Sequence, residues 1–467
     1  MAKKIIFQVF LLTLALQLSR AQTRDSILHS YLQLGIENNL SLLKSKDSYE
    51  KQLAVLQEAK GKFLPKIELG ARFTKAEGGR AINLRTGELM NPVFQNLNYI
   101  NQTLYGHLPP EMQPPLYPEL QDEEIHFMRP TEQETMLRLT QPLLNHGISI
   151  NKKIQIHQAE YASISYDANR RSFVKTFSEA YYNYLKAHNV KIVLTKSIKL
   201  VDENIRVSEK LVLNDKATKD AIFLAEGKKA ELMQKLATAN KNLRASQAYL
   251  NFLLNRDLNT HINIPNDSII EEPKLSVNVF EMPNLGKRLE LTQMDHYLSI
   301  TEQQIRLKNN EFLPKLTFQA DYGIQGEQYD INSNADYAIA SVVLRWDLFD
   351  GFQKRAQKKQ LVISNRIANH ERKELSMKFE METTNAYHEL IESIESYNAS
   401  CMGFVSTQKA FKMIKRKYEE GISSQIEYFE AQNNLQEAAV AKIVDYYDIQ
   451  IKDIQLKYVN AEPLAIN

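Results

Sequence analysis

The chain is poor in the residues that usually mark a fold at sight: one cysteine, 15 glycines and 14 prolines in 467 residues. A lone Cys401 excludes an intrachain disulfide framework and any metal site built on paired cysteines. Scarce glycine and proline exclude collagen-like and proline-rich architectures. Charge of one sign is lacking too. Lysine and arginine number 58 against 56 acidic residues, and Lys3, Lys4 and Arg20 lie in a segment expected to be removed, which leaves 58 − 3 = 55. A near-neutral mature chain does not suit a general nucleic-acid binder, and no nucleic-acid partner is expected. Catalytic signatures are absent as well. The ten histidines are scattered, with no HExxH and no pair at helical ligand spacing, and no GxSxG, P-loop or GxGxxG after a strand occurs. The sequence therefore predicts no enzyme, no catalytic residue, no cofactor and no metal site.

Long apolar runs are confined to the start. Residues 1–21, MAKKIIFQVFLLTLALQLSRA, place two lysines before an apolar run and small residues at its end, the pattern of a secretory signal peptide. No later stretch approaches the ~18 apolar residues that a membrane helix needs. Contact with a membrane would then fall to strands or to the surface.

What is present is a pattern used twice. Phe63-Leu64-Pro65-Lys66 recurs as Phe312-Leu313-Pro314-Lys315, 249 residues later. Pro142-Leu143-Leu144-Asn145 resembles Asp347-Leu348-Phe349-Asp350, and Asn214-Asp215 parallels Glu420-Gly421 at an offset of 206. The order is helix, strand, loop, strand, long helix, turn, helix, as a duplicated unit would give. The boundaries read as a first copy over 22–255, a linker over 256–287, a second copy over 288–459 and a tail over 460–467. The loop 77–133 of the first copy holds seven of the 14 prolines and many asparagines, so it cannot be one regular element.

Four segments alternate with period two: about 66–76, 134–144, 315–325 and 337–349. Ile67, Leu69, Ala71 and Phe73 alternate with Glu68, Gly70, Arg72 and Thr74, and the others follow suit. Each run is long enough to cross a bilayer when tilted. On pattern alone, a four-stranded sheet packed on soluble helices fits equally well. Charged polar faces and the secretory context favour the membrane. Four strands cannot close, and open edges cannot sit in lipid, so other subunits would have to complete a barrel.

No proline interrupts the chain between Pro142 and Pro265, or between Pro314 and Pro463. Helical hairpins over 148–255 and 352–459 are predicted, their longer arms reaching roughly 100 Å at ~1.5 Å per residue. Leu390, Tyr397, Phe404, Phe411 and Tyr418 fall seven apart, with Tyr387, Ile394 and Cys401 between them, which reads as a coiled-coil seam. Gly421 suits a left-handed helix end, Ser423 and Ser424 suit caps, and Glu427 and Glu430 share a face of the return helix. Two solvated surface glutamates are the plainer reading of that pair.

Taken together, the FLPK entries, the Trp346-Asp347-Leu348-Phe349-Asp350-Gly351 exit, the turn from Tyr418 to Ser424 and Phe429-Glu430-Ala431-Gln432 resemble the TolC family of outer-membrane efflux proteins. The likeness covers essentially the whole mature chain. The loop beginning AEGGR, with Asn91-Pro92-Val93, is similar to a Bacteroidetes-type branch. The resemblance implies a mainly α fold with β: a homotrimer in which each chain lends four strands to a 12-stranded transmembrane barrel, continued by a helical tunnel across the periplasm. It implies an intermediate belt from the N-terminal region, the linker and the C-terminus. Outer-membrane lipid, a periplasmic adaptor (membrane fusion protein) and an inner-membrane pump of RND or ABC type are the implied partners, and export of small molecules or proteins is the implied function. Asn214, Asp215, Gly421, Ile422, Ser423 and Ser424 become periplasmic tips for adaptor docking, and Glu427 and Glu430 a constriction ring. The first copy has Ala221 and Leu224 at the two corresponding positions and lends no charge. The alternative is a periplasmic coiled-coil adaptor or structural protein without a pore.

Overall fold

The structure is a computed structural model that describes residues 27–215, 218–264, 285–328 and 335–464. The expected signal segment, much of the linker and the end of the tail lie outside the described residues. The chain forms two compact units. One comprises Met1–Glu58, Ile150–Lys308 and Gln353–Asn467, and the other Ala59–Ser149 and Asn309–Phe352.

The second unit holds a four-stranded antiparallel sheet in the order β1-β4-β5-β6, formed by β1 (Lys66–Lys75), β4 (Thr131–Leu144), β5 (Lys315–Gly326) and β6 (Asp336–Arg345). The register sorts the side chains by face. Leu69, Leu137, Tyr322 and Ala338 lie opposite one another on one face, as do Ile67, Leu139, Ala320 and Ala340. On the other face Glu68, Arg138 and Asp321 align, as do Arg72, Glu134 and Gln325. Ion pairs and a hydrogen bond lace that face: Arg138 donates to both Asp321 oxygens at 2.8 and 3.0 Å, Arg72 to Glu134 at 3.0 Å, and the neutral Tyr337 hydroxyl to Glu134 at 3.0 Å. The apolar face is uncovered, with Leu69 75% and Val342 60% exposed. Pro142 is tolerated inside β4 because the pairing with β1 ends at Thr140 and the register with β5 shifts between Pro142 and Leu144.

β6 is shorter than the alternation predicts, ending at Arg345 rather than near 349. The Trp346 indole N–H is drawn to the Phe312 carbonyl at 3.0 Å, and Gly351 (φ +66°) and Phe352 (φ +64°) turn the chain. Between β1 and β4 the loop carries a small hairpin, β2 (Ala81–Leu84) with β3 (Glu123–His126), and a 20-residue helix α3 (Thr86–Tyr105) that contains Pro92.

The first unit is helical. A helix α1 over 27–38 precedes α2 (Leu40–Gly61), and α6 (Leu289–Asn310) occupies the matching place later. Two long pairs follow: α4 (His146–Leu213, 68 residues) with α5 (Asp220–Leu253), and α7 (Gln353–Glu419, 67 residues) with α8 (Gln425–Val459). The main core gathers Leu28 and Leu32 of α1, Phe177 and Tyr181 of α4, Leu250 of α5, Leu390 and Tyr397 of α7, and Tyr447 and Ile449 of α8, together with Ile262 and Leu464. The segment after α5 and the chain beyond α8 thus share this core with the N-terminal helix. Tyr31 accepts a hydrogen bond from the Asn263 N–H and faces the Arg256 guanidinium. Arg288 is buried: it lies 3.8 Å from the Phe379 ring centroid, donates to the Val459 carbonyl at 3.0 Å and faces Glu290 and Glu382. No described helix is long and apolar enough to cross a membrane.

Candidate functional site at the helix turns

The turn between α7 and α8 is built by its own sequence. Gly421 takes φ +74°, and a Cβ added there would meet nothing within 4 Å. Its N–H donates to the Tyr418 carbonyl at 3.0 Å, and the Ile422 N–H donates to the Lys417 carbonyl at 2.8 Å. Two carbonyls that α7 leaves open are thereby satisfied, the usual work of a left-handed C-terminal glycine. α8 then starts on a reciprocal cap. The Ser424 hydroxyl accepts from the Glu427 N–H at 3.3 Å, while the Glu427 carboxylate accepts from the Ser424 N–H at 3.0 Å and from the Ser423 hydroxyl. The Ser423 hydroxyl, then the Ser424 N–H, hold this carboxyl below the usual glutamate range.

The turn after α4 uses an aspartate where its counterpart has glycine. Asp215 adopts φ +55°, and its N–H donates to Val212 O at 3.1 Å. Asn214 donates from its side chain to Lys210 O at 2.7 Å. The next two residues, 216 and 217, lie outside the described set.

Packing ties the two turns together. The Gln425 side-chain amide donates to Asn204 Oδ1 at 3.1 Å and to the Ala221 carbonyl at 2.9 Å, so the first turn of α8 is bound to both α4 and α5. Below it Tyr428 and Phe429 join Val201, Ala225 and Leu232 in a small core. Tyr428 stacks on Tyr418 with centroids 4.9 Å apart and tilts against Phe411 at 5.5 Å. Burial, with Tyr418 and Glu419 nearby, pushes its hydroxyl up to about 12. The seam positions Phe411 and Tyr418 are therefore the wall of this aromatic cage. Of the two glutamates, Glu427 is engaged in the cap, while the Glu430 side chain is exposed and makes no hydrogen bond or ion pair among the described residues. Gln425 bonds to both α4 and α5 beside the turn, and nothing in the sequence singles it out beyond its place just after a capping serine.

The structure also brings His296 of α6 to a neighbouring pair on α4. Glu160 Oε2 lies 3.2 Å from His157 Nδ1 and 3.1 Å from His296 Nδ1.

The fold recurs among solved outer-membrane channels. The CmeC outer membrane channel of Campylobacter jejuni matches with a TM-score of 0.73 at 15% identity, over 93% of this chain and 85% of that one. The outer membrane protein VceC of Vibrio cholerae matches with 0.70 at 13%, over 94% and 96%. The open state of the MtrE outer membrane channel of Neisseria gonorrhoeae matches with 0.67 at 13%, over 93% and 89%. A search of curated proteins finds no match. These likenesses define the fold class, which the chain shares with solved outer-membrane channels. Residues 284–459 match the family described as "Outer membrane efflux protein".

Proposed function

We propose that three copies of the chain join their sheets into one 12-stranded barrel and export small molecules or proteins through it, as the outer component of a tripartite efflux or type I secretion system. The sheet carries this reading. It has an uncovered apolar face, a charged face and two edge strands, β1 and β6, whose outer edges pair with no strand among the described residues. Open edges are untenable in lipid, and closure by symmetry satisfies them. The charged face then lines a wet lumen, and the apolar face meets the acyl chains. The two arms α4/α5 and α7/α8, which reflect duplication of one unit, form the tunnel wall. Their turns are the periplasmic tips, where Asn214, Asp215 and Gly421 to Ser424 meet an adaptor that couples the channel to an inner-membrane pump. Glu430, with Glu427 beside the cap, supplies the carboxylates of a constriction ring, whose like charges favour cations near the gate.

The test is separation of membranes by density, followed by mass measurement and planar-bilayer recording of the detergent-extracted protein. An outer-membrane trimer that conducts is expected. A monodisperse monomer that conducts equally well overturns the proposal. Glu427→Ala with Glu430→Ala is expected to weaken block by divalent cations, and unchanged block would remove the ring.

A further inference from the structure

We propose that His157, Glu160 and His296 form a binding site for a divalent transition-metal ion of the zinc type, which ties α4 to α6. The inference stands apart from the channel reading. His157 and Glu160 lie one helical turn apart on α4 and so project from one face. His296 arrives from α6, 139 residues further along the chain. The three side chains offer one ligand atom each, all within 4.8 Å of one another. The two imidazole rings are 5.8 Å apart between centroids and tilted by 47°, converging on one carboxylate rather than stacking.

Spacing and chemistry agree. Zinc holds histidine nitrogen and carboxylate oxygen at about 2.0–2.2 Å, so neighbouring donors in a tetrahedral shell lie roughly 3.3–3.5 Å apart. Here the Glu160 oxygen lies 3.2 and 3.1 Å from the His157 and His296 nitrogens, and all three donors lie within 4.8 Å of one another, so small side-chain rotations would admit the ion. Two imidazoles with one carboxylate suit zinc, cobalt or copper. Calcium and magnesium prefer oxygen alone. The histidine side chains are 29% and 25% exposed and Glu160 is 48% exposed, so the ion can enter and keep a water as its fourth ligand. Without metal, Glu160 serves as acceptor for both rings. With metal, three side chains on two elements become ligands of one centre.

The experiment uses the full chain, extracted in detergent and stripped of metal. Zinc chloride is titrated by equilibrium dialysis with metal analysis, and cobalt chloride is followed by its visible absorption. One zinc per chain, tetrahedral cobalt bands and a zinc-dependent rise in Tm are expected. His296→Ala and the near-isosteric Glu160→Gln should each lower affinity by at least about tenfold and remove the bands. Circular dichroism confirms that each variant is folded, and Glu160→Gln keeps the test open if the alanine variant is not. His370→Ala, on an exposed part of α7, should leave binding unchanged. Absence of saturable zinc binding, or binding by the Glu160→Gln and His296→Ala variants equal to that of the wild type, overturns the proposal.

Discussion

Two residues at equivalent turns hold the same backbone conformation at different cost. Gly421 accepts φ +74° freely, whereas Asp215 at φ +55° bears the Cβ penalty of the left-handed region. Asp215→Gly is therefore expected to stabilise the α4 turn by up to about 1 kcal/mol, seen as slower hydrogen exchange of the Asn214 and Asp215 amides. Glu427 gives a pH-dependent counterpart. Its carboxyl is held below the usual range when folded, so its contribution is present at neutral pH and lost as pH falls through the folded value. The first turn of α8 should fray in acid below the ordinary glutamate range. Glu427→Gln, which can still accept from the Ser424 N–H, should remove that acid dependence while keeping part of the cap. Exchange rates at Glu427 and Tyr428, followed against pH in both forms, would show it.

At the scale of elements, the long arms were legible because proline is missing from them and the seam repeats every seven residues. Leu390 and Tyr397 are buried where that seam puts them. The strands were legible from alternation, except at the end of β6. There Trp346 and Leu348 keep the alternating pattern, but a turn set by Gly351 and Phe352 ends the strand early. Helix α3 was not legible, since Pro92 argues against any helix through that loop. Side-chain bonds to a distant extended segment support it. Asn91 exchanges two hydrogen bonds with the Leu120 backbone, Asn98 does the same with Tyr117, and Asp122 accepts from the Gly87 and Glu88 amides. The asparagines are thus the structural cement of the insertion. Arg288 was equally hidden, because a lone arginine near a linker carries no periodic signal. Arg288→Ala would strand Glu290, Glu382 and the last carbonyls of α8. We expect a loss of about 3–5 kcal/mol, measured as a lower denaturation midpoint, with Arg288→Lys recovering only part. The His157–Glu160–His296 cluster escaped for a simpler reason: His296 on α6 meets the α4 pair only in the folded chain.

For the whole molecule, the two faces of the sheet make opposite predictions. Leu69 is 75% exposed on the apolar face, and the proposed barrel turns it toward lipid. Leu69→Lys should cost about 2–4 kcal/mol if it lies near the bilayer midplane, and should lower the yield of membrane-inserted trimer on unheated gels. Gln319→Lys, on the opposite face between Thr140 and Ser341, should insert normally and alter ion selectivity instead. Equal insertion of both variants would argue against the assigned faces.

The sheet order β1-β4-β5-β6 has a consequence for biogenesis. Its central neighbours, β4 and β5, are separated in the chain by α4, α5 and α6. If the chain is exported as proposed, the pair of β1 with β4 emerges long before its mate and must wait with a bare apolar surface. Pairing across such a gap is slow and prone to aggregation. A holdase that shields nascent strands should be needed most for this early hairpin, and depleting it should leave exported but uninserted chains whose helices are already protected from proteolysis.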